Sequence, residues 1–446
     1  MQAMPRIGVA LYENGSPFSR DGNVACEFRK QPFAFSSASE LPGQTLWVTN
    51  VNLSSLIDAG LHRNPKIAHD GYYRTRIAQM SVELGLDNLP VEQRAAILSE
   101  ILGDAAEMAR LQLGLTQYPS YGLAQAVGQL HGPIEPPAGS AVARVAEQAC
   151  QRYTACERDK TFKNPEIFDF WFPRFAYADD LLELPKPIDG NLKTVPPHML
   201  PSMGQNVGEL VDWATQNQLP LFARIKIQGL EETVGKLMNY GAGAQEINRS
   251  TDSGTGNYQA RNMREWASLP ELDMLSQVGD ISVLQVAIAE GWSGKGLHLY
   301  HSRLSSISYA YGLVAENLWV GLTRQSNPSG RVARTLSTAW LQAIDRMRCL
   351  RVAERLHNLG MEIIHYGNGR IRVACPISVR ALIPQIALEE GLLYPACLEG
   401  LTPYRTQSNN PTHVFQHLLN ERDHGRIIRV DLAALKELEA SVHALK

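Results

Sequence analysis

The chain has 446 residues, 44% of them hydrophobic and 20% charged, with a formal net charge of −3. That is the composition of a soluble globular protein, and the length exceeds one ordinary core, so two or three domains are expected. No run approaches the ~20 apolar residues of a membrane span, and the opening MQAMPRIGVALYENG turns polar too soon for a secretory leader.

Cys26, Cys150, Cys156, Cys349, Cys375 and Cys397 lie mostly far apart and form no CxxC pair. Such usage predicts reduced, mostly structural thiols in a cytoplasmic protein. Residues 1–52 read as β-rich: RIGVALY (6–12), NVACEF (23–28), QPFAFS (31–36) and TLWVTNV (45–51) are runs of β-formers separated by turn residues. Helices follow. VEQRAAILSEILGDAAEMARLQLGL (91–115) opens after Pro90 and keeps Ile97, Leu98, Ile101, Leu102 and Ala105 at helical spacing. HGPIEPPAGS (131–140) reads as a linker, and a helix is expected from about Ala141 to Glu157.

The middle is less regular. PEIFDFWFPRFAY (165–177) is strongly aromatic, and the Pro-rich stretch 184–204 after it reads as an ordered long loop or a domain junction. Helices are expected at 207–217 and 232–243 and a strand at 219–229. ISVLQVAIA (281–289) is apolar enough for either a strand or a helix segment. Residues 301–318 read as a helix leading into the stretch that organises the C-terminal half.

That stretch runs from Asn317 to Cys397. NLWVGLT (317–323) is a short apolar run with the look of a strand. In 335–359, Leu336, Trp340, Ala343, Ile344, Met347 and Leu350 mark one helical face, and Gly360 stands where a left-handed cap is expected. MEIIHY (361–366) and RIRVAC (370–375) flank Gly367-Asn368-Gly369, a tight hairpin signal. A helix over 377–391 follows, kinked or shortened by Pro384, with a further strand after it. The order β-α-β-β-α-β is that of a ferredoxin-like unit. Beyond it, helices are expected at 412–425 and from Leu432 on, with a strand at 426–430. The fold class expected is therefore α+β and multi-domain. Residues 1–130 form a β-rich start plus a helical region, 131–300 a mixed region with the Pro-rich junction, and 301–446 the ferredoxin-like domain with its C-terminal helices.

Charge is unevenly spread. Residues 324–380 carry ten arginines against Asp345, Glu354 and Glu362, a net of +7, and no lysine occurs between Lys295 and Lys436. Positive charge drawn wholly from arginine favours planar, bidentate contacts to phosphate or carboxylate; a solvated or intersubunit ion-pair face is the alternative. Arg348, Arg351 and Arg355 fall three and four apart on one helical face, and with Arg370 and Arg372 they are expected to form one patch. Tyr366 is placed with them, as a ring for stacking bases, although His365 and Tyr366 also read as ordinary strand residues at a hairpin end.

No motif names a reaction. Tyr177-Ala178-Asp179-Asp180 resembles the metal-binding turn of reverse transcriptases, but the Gly-Pro-Gln-Gly-like motif of that family is missing upstream. The central unit resembles the palm of nucleotide polymerases and cyclases, in which the first strand and the hairpin turn carry catalytic acids. Here Leu318–Leu322 and Tyr366–Gly369 hold none. It also resembles the RNA-recognition fold, without the basic-Gly-aromatic-Gly-aromatic signature on its third strand. The repeat-associated RNA-binding subunits of CRISPR effector complexes are similar at this level, sharing such a domain with Gly-rich turns and arginines.

His413 and His417 sit at i and i+4, yet HVFQH lacks the glutamate of a metalloprotease helix. Gly291–Gly296 satisfies neither the phosphate-loop nor the serine-elbow pattern, and Asp252–Asn257 reads as a turn. No cofactor and no metal is expected. The reading is a non-enzymatic nucleic-acid-binding subunit of a larger assembly, with other protein subunits or a second copy as partners and no membrane. The RNA-recognition resemblance points to RNA, while the residues themselves leave RNA and DNA open. Two other readings stand beside it. One is a structural or assembly protein making protein contacts; the other is a metal-dependent nucleotidyl-transfer enzyme using Asp179, Asp180 or Asp252.

Overall fold

The computed structural model describes residues 6–68, 89–113, 139–156, 165–172, 176–182, 192–195, 207–238, 263–289, 309–323 and 334–394, with a few single positions between them. The expectations for 252–257, 291–296, His413, His417 and everything from 395 onward lie outside these residues. Within them the chain is mixed α/β, with three four-stranded sheets. Among the described residues no helix is long and apolar enough to cross a membrane.

The β-rich start folds into strands where its runs of β-formers predict them. Strands β1 (Arg6–Leu11), β2 (Val24–Glu27), β3 (Phe33–Ala34) and β4 (Thr45–Thr49) form a sheet of order β3-β2-β1-β4, with only β1 and β4 parallel. Ile7, Val9 and Leu11 join one core, while Ala10 and Tyr12 join a second with Phe35 and Trp47, so β1 is covered on both faces. Helix α1 (Leu53–Asp58) is capped by Asn52, which accepts from the Ser55 amide at 2.8 Å. The long helix α2 (Val91–Leu113) packs on β1 and β2, and α3 (Ala141–Ala149) starts at a Ser140 cap.

Helix α3 ends eight residues before the expected Glu157. The chain then makes β5 (Thr154–Ala155), β6 (Glu166–Trp171) and α4 (Ala176–Leu182). The middle sheet follows from β7 (Leu192–Val195), α5 (Val207–Gln216), β8 (Leu221–Leu230), α6 (Glu232–Leu237), β9 (Met263–Ser268), α7 (Leu269–Val278) and β10 (Gly279–Ala289). Its order is β7-β10-β8-β9, antiparallel throughout, so the ambiguous 281–289 run is a strand.

The largest correction concerns the first strand of the expected ferredoxin-like unit. Asn317–Thr323 is the second half of a helix, α8 (Tyr309–Thr323). Ala310, Leu313, Val314, Ala315, Leu318, Trp319 and Leu322 are all buried, so this helix is apolar nearly all round and carries no period to separate it from a buried strand. Four further elements form as expected, α9 (Leu336–Asn358), β11 (Glu362–Gly367), β12 (Arg370–Cys375) and a shortened α10 (Ile383–Glu390) with Pro384 in its first turn, while of the strand expected after them the described residues show only a bridge from Leu393 to Trp171. Thr335 caps α9 through the Thr338 amide, and Gly360 beyond its end has φ +99°.

The hairpin's partners lie far upstream. The third sheet has order β5-β11-β12-β6, all antiparallel, so the sequence order β-α-β-β-α-β does not describe it. Pairing of β12 with β6 joins residues 166–171 to 370–375 across the boundary drawn at 300. Helix α9 packs on the inner face of this sheet, against Ile363, Tyr366, Ile371 and Val373 from the hairpin and Phe168 and Phe170 from β6.

Candidate nucleic-acid interface

The outward face of the β5-β11-β12-β6 sheet follows from register. Across it, His365 stands opposite Arg372 and Arg372 opposite Asp169; Gly367 stands opposite Arg370 and Arg370 opposite Trp171. The inner partners Ile371, Val373 and Phe170 are fully buried, while His365, Asp169, Trp171, Arg370 and Arg372 on the other side are partly exposed.

A β-bulge decides what reaches this face. The register of β11 against β12 shifts between Ile363 and His365. The extra residue reverses the alternation, so Ile363 and Tyr366 both point inward and His365 points out. Tyr366 is thereby fully buried beside Ile371 and does not join Arg370 and Arg372. The signal was present in the turn. Asn368 and Gly369 have φ +57° and +72°, as a two-residue type I′ turn requires, and counting back from that turn pairs Tyr366 with Ile371.

The arginines divide into two groups. Arg348, on α9 under the hairpin, donates to Asp180 at 2.5 Å and to Asp345 at 2.8 Å; both acids are buried. Burial pulls its pKa down, but Asp180 and then Asp345 outweigh that and hold it above the ordinary guanidinium value. Asp345 also accepts from the Gly369 amide at 2.9 Å, so this cluster anchors the turn. Tyr177 lies over it, its ring 4.9 Å from Trp319, and burial followed by the charge of Asp345 pushes its hydroxyl pKa up. Arg355 pairs with Glu389 at 2.5 Å and with Glu390, and Arg351 reaches Asp273 only at 4.0 Å. Arg348, Arg351 and Arg355 thus lie on α9, which covers the inner face, and form no single patch with Arg370 and Arg372.

Arg370 and Arg372 are 33% and 43% exposed and share one carboxylate, Asp169, at 3.6 and 3.9 Å. Those distances exceed a hydrogen bond. Among the described residues neither guanidinium has a hydrogen-bonded partner. Asp169, in turn, comes from the aromatic stretch that sequence reading leaves unassigned.

A third arginine arrives with β5. The chain at Arg152-Tyr153 passes so close to the hairpin that a Cβ on Gly367 would run into the Arg152 carbonyl oxygen. Gly367, at φ +122°, permits this approach. Tyr153 then sits 5.3 Å from the Arg370 guanidinium, 4.9 Å from that of Arg152 and 5.8 Å from the His365 ring. The segment is pinned from below by Arg346, which is 1% exposed, donates to the Gln151 carbonyl at 2.7 Å and pairs with buried Glu271 at 2.7 Å. His365 has its pKa lowered, first by burial and then by Arg370 and Arg372, with Asp169 opposing. The face therefore carries three guanidiniums with one carboxylate, Asp169, within 4 Å of two of them, interleaved with Tyr153, His365 and Trp171, while Glu362 stands farther along the same side with little exposure.

The Tyr177–Asp180 run is helical rather than a turn, and Asp180 is committed to Arg348, so it does not stand as a metal-holding pair on a hairpin. Among the described residues no group of three or more His, Cys, Asp or Glu side chains is placed to hold a metal ion.

No protein-family model and no curated protein matches the chain. Among solved structures it is similar to Phi29 DNA polymerase complexed with primer-template DNA and incoming nucleotide substrates. The identity is 11%, over 85% of this chain and 82% of that one, with a TM-score of 0.37. A score and identity this low establish neither a shared fold nor a shared activity.

Proposed function

We propose that this chain is a nucleic-acid-binding subunit that holds a phosphate backbone on the open face of the β5-β11-β12-β6 sheet. The observation that carries this reading is the pair Arg370 and Arg372. They project from the same side of one strand, partly exposed, facing one carboxylate beyond hydrogen-bond range. Guanidiniums in that condition keep their fork of N–H donors for planar oxyanions such as phosphate. Arg152 adds a third positive charge at the edge. The role assigned is binding rather than chemistry: the hairpin turn is Gly367-Asn368-Gly369 and Asp180 is taken up by Arg348. RNA as the ligand and membership of a larger assembly are the finer form of the same reading.

The test is salt-dependent binding of labelled oligonucleotides, with Arg370→Ala/Arg372→Ala measured in parallel. Binding should fall with the logarithm of salt concentration at a slope of about −2, roughly 0.7 for each of three phosphates on a single strand. The double variant should remove most of that slope. Co-purifying nucleic acid, with nuclease sensitivity naming RNA or DNA, would agree. A nucleic-acid-free protein that self-associates equally in low and high salt overturns the reading in favour of an assembly role.

A further inference from the structure

We infer that the face described above takes a single strand with unpaired bases and discriminates against a duplex; this rests on the phosphate-binding reading. Two features of the sheet point there. The first is spacing. Arg370 and Arg372 are two residues apart on one strand, which sets their stems about 6.8 Å apart. That interval suits successive phosphates along one strand, free or in a duplex, so it places the backbone and leaves the second feature to select the single strand.

The second feature is the rings. Outward positions of a half-covered sheet need only be polar, yet Tyr153, His365 and Trp171 all stand on this side, and none belongs to the core beneath. Tyr153 is half-buried, with the Arg152 and Arg370 guanidiniums at 4.9 and 5.3 Å from its ring centre. The His365 ring is 5.8 Å away and inclined at 52°. Rings and guanidinium planes in one array are a platform on which bases stack, whatever their identity. A duplex turns its phosphates outward and hides its base faces in the stack. It would engage the arginines and leave the rings without partners. A single strand satisfies both sets at once.

Seating is fixed rather than adaptable. Gly367 lets the Arg152-Tyr153 backbone lie against the hairpin, and Arg346 holds the Gln151 carbonyl from inside. Tyr153 therefore keeps its station beside Arg370 before any ligand arrives, which limits the ordering cost of binding.

The experiment is fluorescence anisotropy on the full chain at one salt concentration. The probes are a labelled oligothymidylate, a labelled oligouridylate and a mixed-sequence duplex of equal length. The unaltered protein should bind at least one single strand about tenfold more tightly than the duplex, and the tighter strand names the sugar. Tyr153→Leu should lose about tenfold for the single strand and little for the duplex, and Tyr153→Phe should keep the preference. Duplex binding as tight as single-strand binding, with Tyr153→Leu neutral, overturns this inference and leaves the phosphate reading standing. Failure of all three probes, or binding indifferent to Arg370→Ala/Arg372→Ala, overturns both. The strand-versus-duplex comparison needs no variant, so it decides the matter even if Tyr153→Leu folds poorly.

Discussion

The two sides of the β5-β11-β12-β6 sheet both use arginine, and to opposite ends. On the inner side Arg348 is matched by two buried carboxylates at hydrogen-bond distance, one of which also fastens the hairpin turn. On the outer side Arg370 and Arg372 divide a single acid that neither reaches. The residue type and the neighbourhood in sequence are alike. What separates structural from available charge is the number of carboxylates brought alongside and whether water is excluded. Two upstream segments make that decision. Helix α4 delivers Asp180 to the inside, and β6 delivers Asp169 to the outside.

This contrast can be broken most forcefully from within. Arg348→Ala leaves Asp180 and Asp345 buried without their cation and should cost about 3–5 kcal/mol in urea unfolding. A loss within the ~0.5 kcal/mol of an ordinary surface change would show that the inner arginine is no more structural than the outer ones. Gly369→Ala comes next. Its φ of +72° is strained for any side chain, and the added Cβ would press on the Tyr177 hydroxyl, so about 1–3 kcal/mol should be lost.

Smaller effects sharpen the outer side. Asp169→Asn removes the acid that lies within 4 Å of both Arg370 and Arg372. Nucleic-acid affinity should rise by a few-fold, the scale of the ~0.2–1 kcal/mol of an exposed pair. Unchanged affinity would mean that those guanidiniums do not meet the ligand. The smallest effect is with pH. His365 is lowered from the ordinary value near 6.5 by burial and by Arg370 and Arg372, against Asp169. In the folded chain it therefore holds its proton less readily than in the unfolded chain. Its contribution to stability is complete above about 6.5 and declines as pH falls through that value. A bound polyanion reverses the balance by favouring the imidazolium, so affinity should climb over the same fall in pH. His365→Gln should flatten both curves; a slope that survives belongs to another group.

Much of the fold is legible wherever the physics is local. The four N-terminal strands show in runs of β-formers bounded by turn residues. The Asn368-Gly369 turn and the caps of α9 are written in single residues with one conformational purpose. The outward placement of Arg370 and Arg372 is legible too, because they alternate with Ile371 and Val373. What escapes is set by distant partners. In β6, Phe168 and Phe170 face the core, but Ile167 and Trp171 on the other side are apolar too, so alternation fails and the strand passes for an aromatic loop. Tyr153 falls inside the helix expected to reach Glu157, whereas that helix ends at Ala149. Its position depends on Gly367, more than two hundred residues later, making room for its backbone. Tyr366 lies on the buried side because the register that the Asn368-Gly369 turn imposes pairs it with Ile371.

Helix α9 has a consequence of a mechanical kind. Its first half, from Leu336 to Ile344, packs with α8 and α3 in the core that also holds the N-terminal strands, while its second half, from Met347 to Leu356, belongs to the core of the other two sheets. Twenty-three residues make a rod of about 35 Å, stiff over its whole length. Two cores that share one beam cannot tilt independently, and neither keeps its wall if the other melts. Heat should find a single cooperative transition here. A shift at Trp340 would be felt as a change of angle under the hairpin rather than dying out between lobes.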